Sequence, residues 1–300
     1  MKKIDKILIT NDDGYYAKGI KVLKKVLNKY VDEVYTVAPS KNQSGSGRSI
    51  TLGSSINYTK VSKFDWVIDG TPVDAMIFAL NNLFKNDKPD YIFSGINSGS
   101  NIGDEISYSG TVGAAFEGAL RGVRSLAISQ SGSFNDINKF AIAEKYMPYI
   151  LDNISQIFIK KNTLFNINFP SCEIKNVKKM MFTESSHQKL SDKLIFSPSD
   201  NSFKIGNMNI DDNQGLKTDF YAINNNYISV TPISVNSTCR EYFNWIMINE
   251  NDIEKANLIM SLRSMGISSS NVLSAIEKIP RELFVPKNLL HYAYENCPLP

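Results

Sequence analysis

The first 170 residues alternate two kinds of pattern, and that alternation leaves few folds open. Ile7-Leu8-Ile9-Thr10 is a short unbroken apolar run. In residues 17 to 29 the apolar positions Ile20, Leu23, Val26 and Leu27 then fall on one helix face. Val34-Tyr35-Thr36-Val37-Ala38 is a second run, ended by Pro39. Strand, helix and strand within about thirty residues make a parallel βαβ unit. Unbroken apolar strands, rather than alternating ones, belong to a sheet covered on both faces.

The pattern continues. Gly70-Thr71-Pro72-Val73-Asp74 opens a helix predicted to reach about Phe84, with Thr71 as N-cap, Pro72 first and Asp74 as the third-position acid. Tyr91-Ile92-Phe93-Ser94 is a buried strand, followed by a Gly/Ser/Asn-rich loop to Gly110. A helix of small residues runs from near Thr111 to near Gly122, and Leu126-Ala127-Ile128-Ser129 is another strand. A helix from about Asn138 and the strand Leu164-Phe165-Asn166-Ile167-Asn168 close this part. The expected fold class is a doubly wound, mostly parallel α/β sheet.

From about 177 to 235, short alternating runs such as Lys193-Leu194-Ile195-Phe196 and Tyr227-Ile228-Ser229-Val230-Thr231 lie between Asn, Asp, Gly and Ser, which predicts a β-hairpin arm. Arms of this kind often serve self-association. Residues 253 to 278 predict two helices joined at Gly266. The expected domains are therefore 1–248, including the arm, and a helical tail over 249–300.

Composition excludes several classes. The net charge of +3 arises from 33 basic and 30 acidic residues, which does not describe a protein that coats nucleic acid. Cys172, Cys239 and Cys297 form no CxxC pair, so a zinc ribbon is excluded and a disulfide framework is not expected. A reducing compartment, the cytoplasm, follows. The apolar stretch after the N-terminal lysines is too short for a signal peptide, and no eighteen apolar residues run together to span a membrane.

In such sheets ligands bind at the carboxyl ends of the strands. Four polar segments fall there. Asn11-Asp12-Asp13-Gly14 places two carboxylates side by side, and keeping both ionised needs a cation suited to hard oxygen, Mg²⁺ or Mn²⁺. Both reach one ion only if the chain turns, which Gly14 permits. Taken alone, this segment reads equally well as a solvated turn. Asn42-Gln43-Ser44-Gly45-Ser46-Gly47 offers hydroxyls for a metal or a phosphate; alone it reads more readily as a flexible loop. In Ser94 to Gly103 the glycines let backbone N–H groups approach an anion, Asn97 can offer a carbonyl oxygen to a metal and Asn101 can bond a phosphate, the other reading being a long turn. Tyr108-Ser109-Gly110-Thr111 starts a helix, where N–H groups and the dipole favour an anion, or where one hydroxyl simply caps. No GxxxxGK[ST] occurs, and the two histidines, His187 and His291, lie outside all four segments, so neither a P-loop nor a Ser-His-Asp triad fits. The chemistry left is metal-assisted hydrolysis.

These segments, in this order, resemble the SurE (survival protein E) family of nucleotidases over roughly residues 6 to 240. The resemblance rests on Ile9 to Gly14, Asn42 to Gly45, Asp69 to Asp74, Ser94 to Asn97, Tyr108 to Val112, Ala114 to Gly118, Asn166 to Pro170, Thr218 to Phe220 and Ser229 to Pro232. It implies a Rossmann-like core and a 5′/3′-nucleotidase acting on nucleoside monophosphates with one divalent metal per subunit. By motif position Asp12, Asp13, Ser44 and Asn97 look like the metal ligands, and Asn101, Ser109, Gly110 and Thr111 like the phosphate cradle. Asp12, Asp13 and Asn97 would then be catalytic. The arm implies a homodimer or homotetramer; neither a membrane nor a nucleic-acid duplex is expected as partner. The family usually has Pro where Lys18 sits and an aliphatic residue where Tyr15 sits; Tyr15 and Tyr16 bear on substrate preference rather than on the metal.

Residues 253 to 300 resemble the start of protein-L-isoaspartate O-methyltransferases through Leu262-Arg263, Gly266-Ile267, Val272-Leu273, Ala275-Ile276, Ile279-Pro280-Arg281 and Leu283 to Pro286. The glycine-rich S-adenosylmethionine motif of that family is not present, so no methyl transfer is expected. Two further readings stand beside the phosphatase: a nucleotide-binding protein without turnover, and a remnant of a nucleotidase–methyltransferase fusion.

Overall fold

The computed structural model describes residues 4–132, 139–157, 162–187, 189–210, 215–238 and 250–296. The chain divides after Asn236 into two compact units. The domain boundary expected at 248/249 and the helix start expected at Asn138 lie outside the described residues.

The first unit opens with β1 (Lys6–Thr10), α1 (Lys18–Leu27) and β2 (Glu33–Pro39). β3 (Tyr58–Lys60) and β4 (Asp65–Ile68) follow, then α2 (Pro72–Phe78) and β5 (Tyr91–Ser98). Next come α3 (Gly110–Leu120), β6 (Arg124–Gln130), α4 (Ala141–Ile157) and β7 (Thr163–Phe169). β8 (Met180–Phe182), β9 (Lys189–Ser197), β10 (Ser202–Ile210), α5 (Asp219–Asn224) and β11 (Ile228–Ser234) complete it.

Nine strands form one sheet in the order β3-β4-β2-β1-β5-β6-β7-β11-β8. The six from β4 to β7 run parallel. From β1 the chain moves first to one side, to β2, and later returns on the other side as β5. The strand order therefore reverses between β1 and β5, where Thr10 pairs with Ser94. A crevice opens at the carboxyl ends of strands at such a point.

Alternating side chains send β1 into two cores. Ile7 and Ile9 pack with Ile20, Leu23 and Leu27 of α1 and with Ala143 and Met147 of α4. Leu8 packs on the opposite side with Ala75 and Met76 of α2. The start of α2 is the capping box the sequence predicts: Thr71 accepts from the Asp74 N–H at 3.1 Å and Asp74 accepts from the Thr71 N–H at 2.9 Å. The helix continues as a π-helical turn over Ala79–Leu83.

Two findings depart from the sequence pattern. β3 and β4, which carry no strong strand signal, extend the sheet beyond β2. The hairpin arm is confined to β9 and β10, within 189–210, rather than spanning 177–235. β11 and β8 join the main sheet instead, β11 antiparallel to β7 and β8 parallel to β11. An alternating run shows that a strand exists; which edge it pairs with depends on distant residues.

The second unit contains α6 (Glu250–Ser264) and α7 (Ser270–Lys278). Gly266, at φ +96°, ends the first helix as expected of a glycine in that position. Leu258, Ala293 and Tyr294 form its small core.

Candidate active site

The loop after β1 is folded tightly against the loop after β2. Gly14 sits at φ +101°, and a Cβ there would lie 3.2 Å from the Lys41 carbonyl carbon, so the turn needs glycine. The Gln43 N–H donates to the Asp12 carbonyl at 2.7 Å, and the Asn11 amide donates to the Gly14 carbonyl at 2.9 Å. This turn sends two consecutive carboxylates to different elements. Asp12 accepts from the Thr111 hydroxyl on α3. Asp13 accepts from the Ser98 N–H, at the end of β5, at 3.1 Å.

Both acids lie in a low-dielectric setting. Asp12 is only 4% exposed. Burial pushes its carboxyl up to about 6, opposed by the Thr111 hydroxyl and reinforced by the neighbouring Asp13 charge. Burial also raises Asp13, against the Ser98 N–H and the Lys139 charge, which lower it.

β5 shifts register against β6 between Ser94 and Asn97, and beyond this bulge Ser98 reaches Asp13. The Asn97 amide nitrogen donates to the Gly99 carbonyl at 2.9 Å, which commits the nitrogen and leaves the side-chain oxygen as the group with lone pairs to offer. Ser44 is exposed; its N–H and hydroxyl both donate to the Asn42 side-chain oxygen, at 2.8 and 2.6 Å. Its oxygen retains acceptor capacity, and the Gln43 bond to Asp12 holds this turn beside the carboxylates.

Gly110 is the first residue of α3 and lies against Asp12. A Cβ on it would stand 2.7 Å from the Ser46 hydroxyl and 2.8 Å from the Asp12 Cβ. Ser109 caps the helix, accepting from the Val112 N–H at 3.1 Å. The positive end of α3 thus meets Asp12. Thr111 spends its hydroxyl hydrogen on Asp12.

Asn101 is fixed from behind. Its N–H donates to Asn168 Oδ1 at 2.8 Å and its amide nitrogen to the Ser129 hydroxyl at 2.9 Å. Its carbonyl accepts from Asn166 at 2.7 Å and from Asn168 at 3.1 Å. It therefore hangs on the ends of β6 and β7 rather than bonding to the carboxylates. Neither histidine bonds to the carboxylates: the His187 side chain is exposed, 3.7 Å from Asp104, and within the second unit the His291 ring packs on Tyr292.

Four residues that carry no role in the sequence reading belong here. Ser98 holds Asp13, and Ser46 places a buried hydroxyl, without a hydrogen-bond partner, beside Gly110. Asn168, which with Asn166 interrupts an apolar strand, supports Asn101; that placement was the one visible clue. Lys139 is buried and donates to the Ser98 hydroxyl at 2.5 Å, with nothing in its local sequence to mark it.

The donor set fits a hard divalent cation. Among the described residues no three His, Cys, Asp or Glu side chains gather in a metal-ligating group, so an ion held by Asp12 and Asp13 takes its other protein ligands from neutral oxygens. A buried carboxylate beside a half-buried one is costly unless a cation offsets them, and the hydroxyl of Ser44 and amide oxygen of Asn97 are neutral oxygens of the same kind.

The survival protein SurE family model matches residues 7–192, and that of protein-L-isoaspartate(D-aspartate) O-methyltransferase matches residues 253–300. The 5′/3′-nucleotidase SurE of Wigglesworthia glossinidia brevipalpis is 39% identical over 244 residues, covering 80% of this chain and 95% of that one. The 5′-nucleotidase SurE of Paramagnetospirillum magneticum is 34% identical, covering 79% of this chain and 92% of the other. The crystal structure of the SurE protein from Aquifex aeolicus superposes with a TM-score of 0.72 at 30% identity, covering 81% of this chain and 98% of that one.

Proposed function

The chain belongs to the survival protein SurE family, and from that premise we propose that it is a metal-dependent nucleotidase that releases phosphate from nucleoside monophosphates. The observation that carries this reading is the meeting of Asp12, with Asp13 next to it, and the N-terminus of α3. A cation-binding pair and an anion-binding helix end then share one crevice. Asp12, Asp13, Ser44 and Asn97 would hold one divalent ion, Mg²⁺ or Mn²⁺. When bound, that ion neutralises phosphate charge and acidifies a water molecule.

The chain's own residues do the positioning. Thr111 fixes the Asp12 carboxylate, and the Ser98 N–H fixes that of Asp13. The N–H groups of the first turn of α3, with Ser109, Gly110 and Thr111, receive the phosphate oxygens. Asn101, braced by Asn166 and Asn168, adds a donor set by the sheet rather than by a mobile loop. Such preorganisation is worth most in a water-poor crevice.

Self-association as a dimer or tetramer is supported by the apolar face of the arm, where Phe196 and Ile205 are each 69% exposed. No helix among the described residues is long and apolar enough to cross a membrane. A cytoplasmic setting draws its support from the scattered cysteines. We assign the phosphatase chemistry to the expected domain 1–248, which contains the whole first unit, and read 249–300 as an incomplete methyltransferase-like segment.

A panel of nucleoside monophosphates against Mg²⁺ and Mn²⁺, followed by phosphate release, tests the proposal. Activity lost with chelator and in Asp12→Asn or Asp13→Asn, with thermal stability kept, is the expected result. Binding without any release would favour a nucleotide sensor; full activity in either variant would remove the metal site.

A further inference from the structure

We propose that Lys139 is a built-in positioning cation of the metal site, whose charge sets how strongly the site holds its divalent ion and how well it accepts phosphate. This rests on the reading of Asp12 and Asp13 as metal ligands.

Lys139 is 6% exposed, in the turn just before α4. Lysine is almost never buried this deeply unless its charge is matched. Its ammonium donates to the Ser98 hydroxyl at 2.5 Å, and the Ser98 N–H donates to Asp13 at 3.1 Å. Lys139, Ser98 and Asp13 thus form one line from the core to the crevice, and the Lys139 charge acts on the Asp13 carboxylate. The residues that follow it are anchored. Phe140 is buried in the main core, and the Ala143 N–H donates to the Gln130 side chain at 3.1 Å. Gln130 in turn donates to the Pro170 carbonyl at 2.7 Å.

The charge balance shows what such a cation does. Two carboxylates and one divalent ion sum to zero. Lys139 adds a positive charge beside the loaded site, which favours a phosphate dianion. The same charge opposes the divalent ion, so metal affinity is held below what the two carboxylates would otherwise give. A lysine serving only to pack or to hold Ser98 would do neither.

The test uses the full chain with Lys139→Gln, which keeps a donor for Ser98, Lys139→Met, which does not, and Lys139→Arg, which keeps the charge. Mn²⁺ binding is measured directly by calorimetry. Inorganic phosphate is then titrated into the Mn²⁺-loaded protein. Charge removal is expected to tighten Mn²⁺ binding about tenfold and weaken phosphate binding about tenfold, with Arg near wild type. Unchanged or weaker Mn²⁺ binding in a folded Lys139→Gln protein overturns the proposal, whether or not stability falls. Should Lys139→Met not fold, the Gln and Arg variants decide alone. If the wild-type chain itself binds no Mn²⁺, the metal reading fails and takes this proposal with it; if wild type binds and Gln matches it, only the role of Lys139 is lost.

Discussion

Gly110→Ala removes no functional group, so it isolates the geometry of the site. The new Cβ would stand 2.8 Å from the Asp12 Cβ, where ordinary contact starts at 3.4 Å. Something must retreat by about 0.6 Å, and α3 is poorly able to do so. At Gly113, one turn on, an added Cβ would lie 2.2 Å from the Gly47 carbonyl oxygen, so the helix is already seated on that loop. Asp12 and Ser46 therefore move. A misplacement of about 1 Å can cost about a hundredfold in rate, so roughly ten- to a hundredfold loss in kcat/KM is expected, or about 1.4–2.7 kcal/mol of transition-state stabilisation. Overpacking of this kind costs about 1–3 kcal/mol of stability, a fall of only a few degrees in Tm. The assay is Mn²⁺-dependent phosphate release alongside thermal denaturation. A folded Gly110→Ala protein within twofold of wild-type kcat/KM would refute the claim that α3 and Asp12 are in register at the reacting centre.

Other outcomes follow from the same structure. In metal-free protein Asp12 has a folded pKa of about 6, above the usual carboxylate value. Its contribution to stability is therefore present below pH ~4 and lost as pH rises through about 6. A divalent ion requires the ionised form, so the Tm gain from Mn²⁺ should be largest above pH ~6 and shrink below it; equal gains at pH 5 and pH 8 would contradict the burial argument. Asn168→Ala leaves the buried Asn101 N–H without its acceptor, while the Asn101 carbonyl keeps Asn166. A loss of about 1–3 kcal/mol in chemical denaturation is expected, with kcat/KM reduced and Mn²⁺ binding unchanged; weakened Mn²⁺ binding would mean that Asn101 supports the metal as well. Phe196→Glu together with Phe203→Glu should yield a smaller species by light scattering, since both rings are exposed on the arm; an unchanged mass would move the interface elsewhere.

Much of this protein is legible locally. The βαβ rhythm, the Thr71–Asp74 capping box and the glycine turn after Asp13 follow from periodicity and turn chemistry within a few residues, and the structure repeats them. Position at strand ends then marks Asp12, Asp13, Asn97 and Gly110 as candidates, because a doubly wound sheet gathers its ligands there. Long-range pairing is different. The run Tyr227 to Thr231 announces a strand, yet only the antiparallel register with β7 makes it part of the main sheet rather than of the arm. Thr111 meets Asp12 across 99 residues of chain, and Lys139 meets Ser98 across 41. A lone lysine in a loop carries no periodicity to show that it will be buried. Sequence alone determined which carboxylates lie at the crevice. Tertiary structure decided which hydroxyl, N–H and ammonium groups hold them, because burial and Coulomb's law act through space and not along the chain.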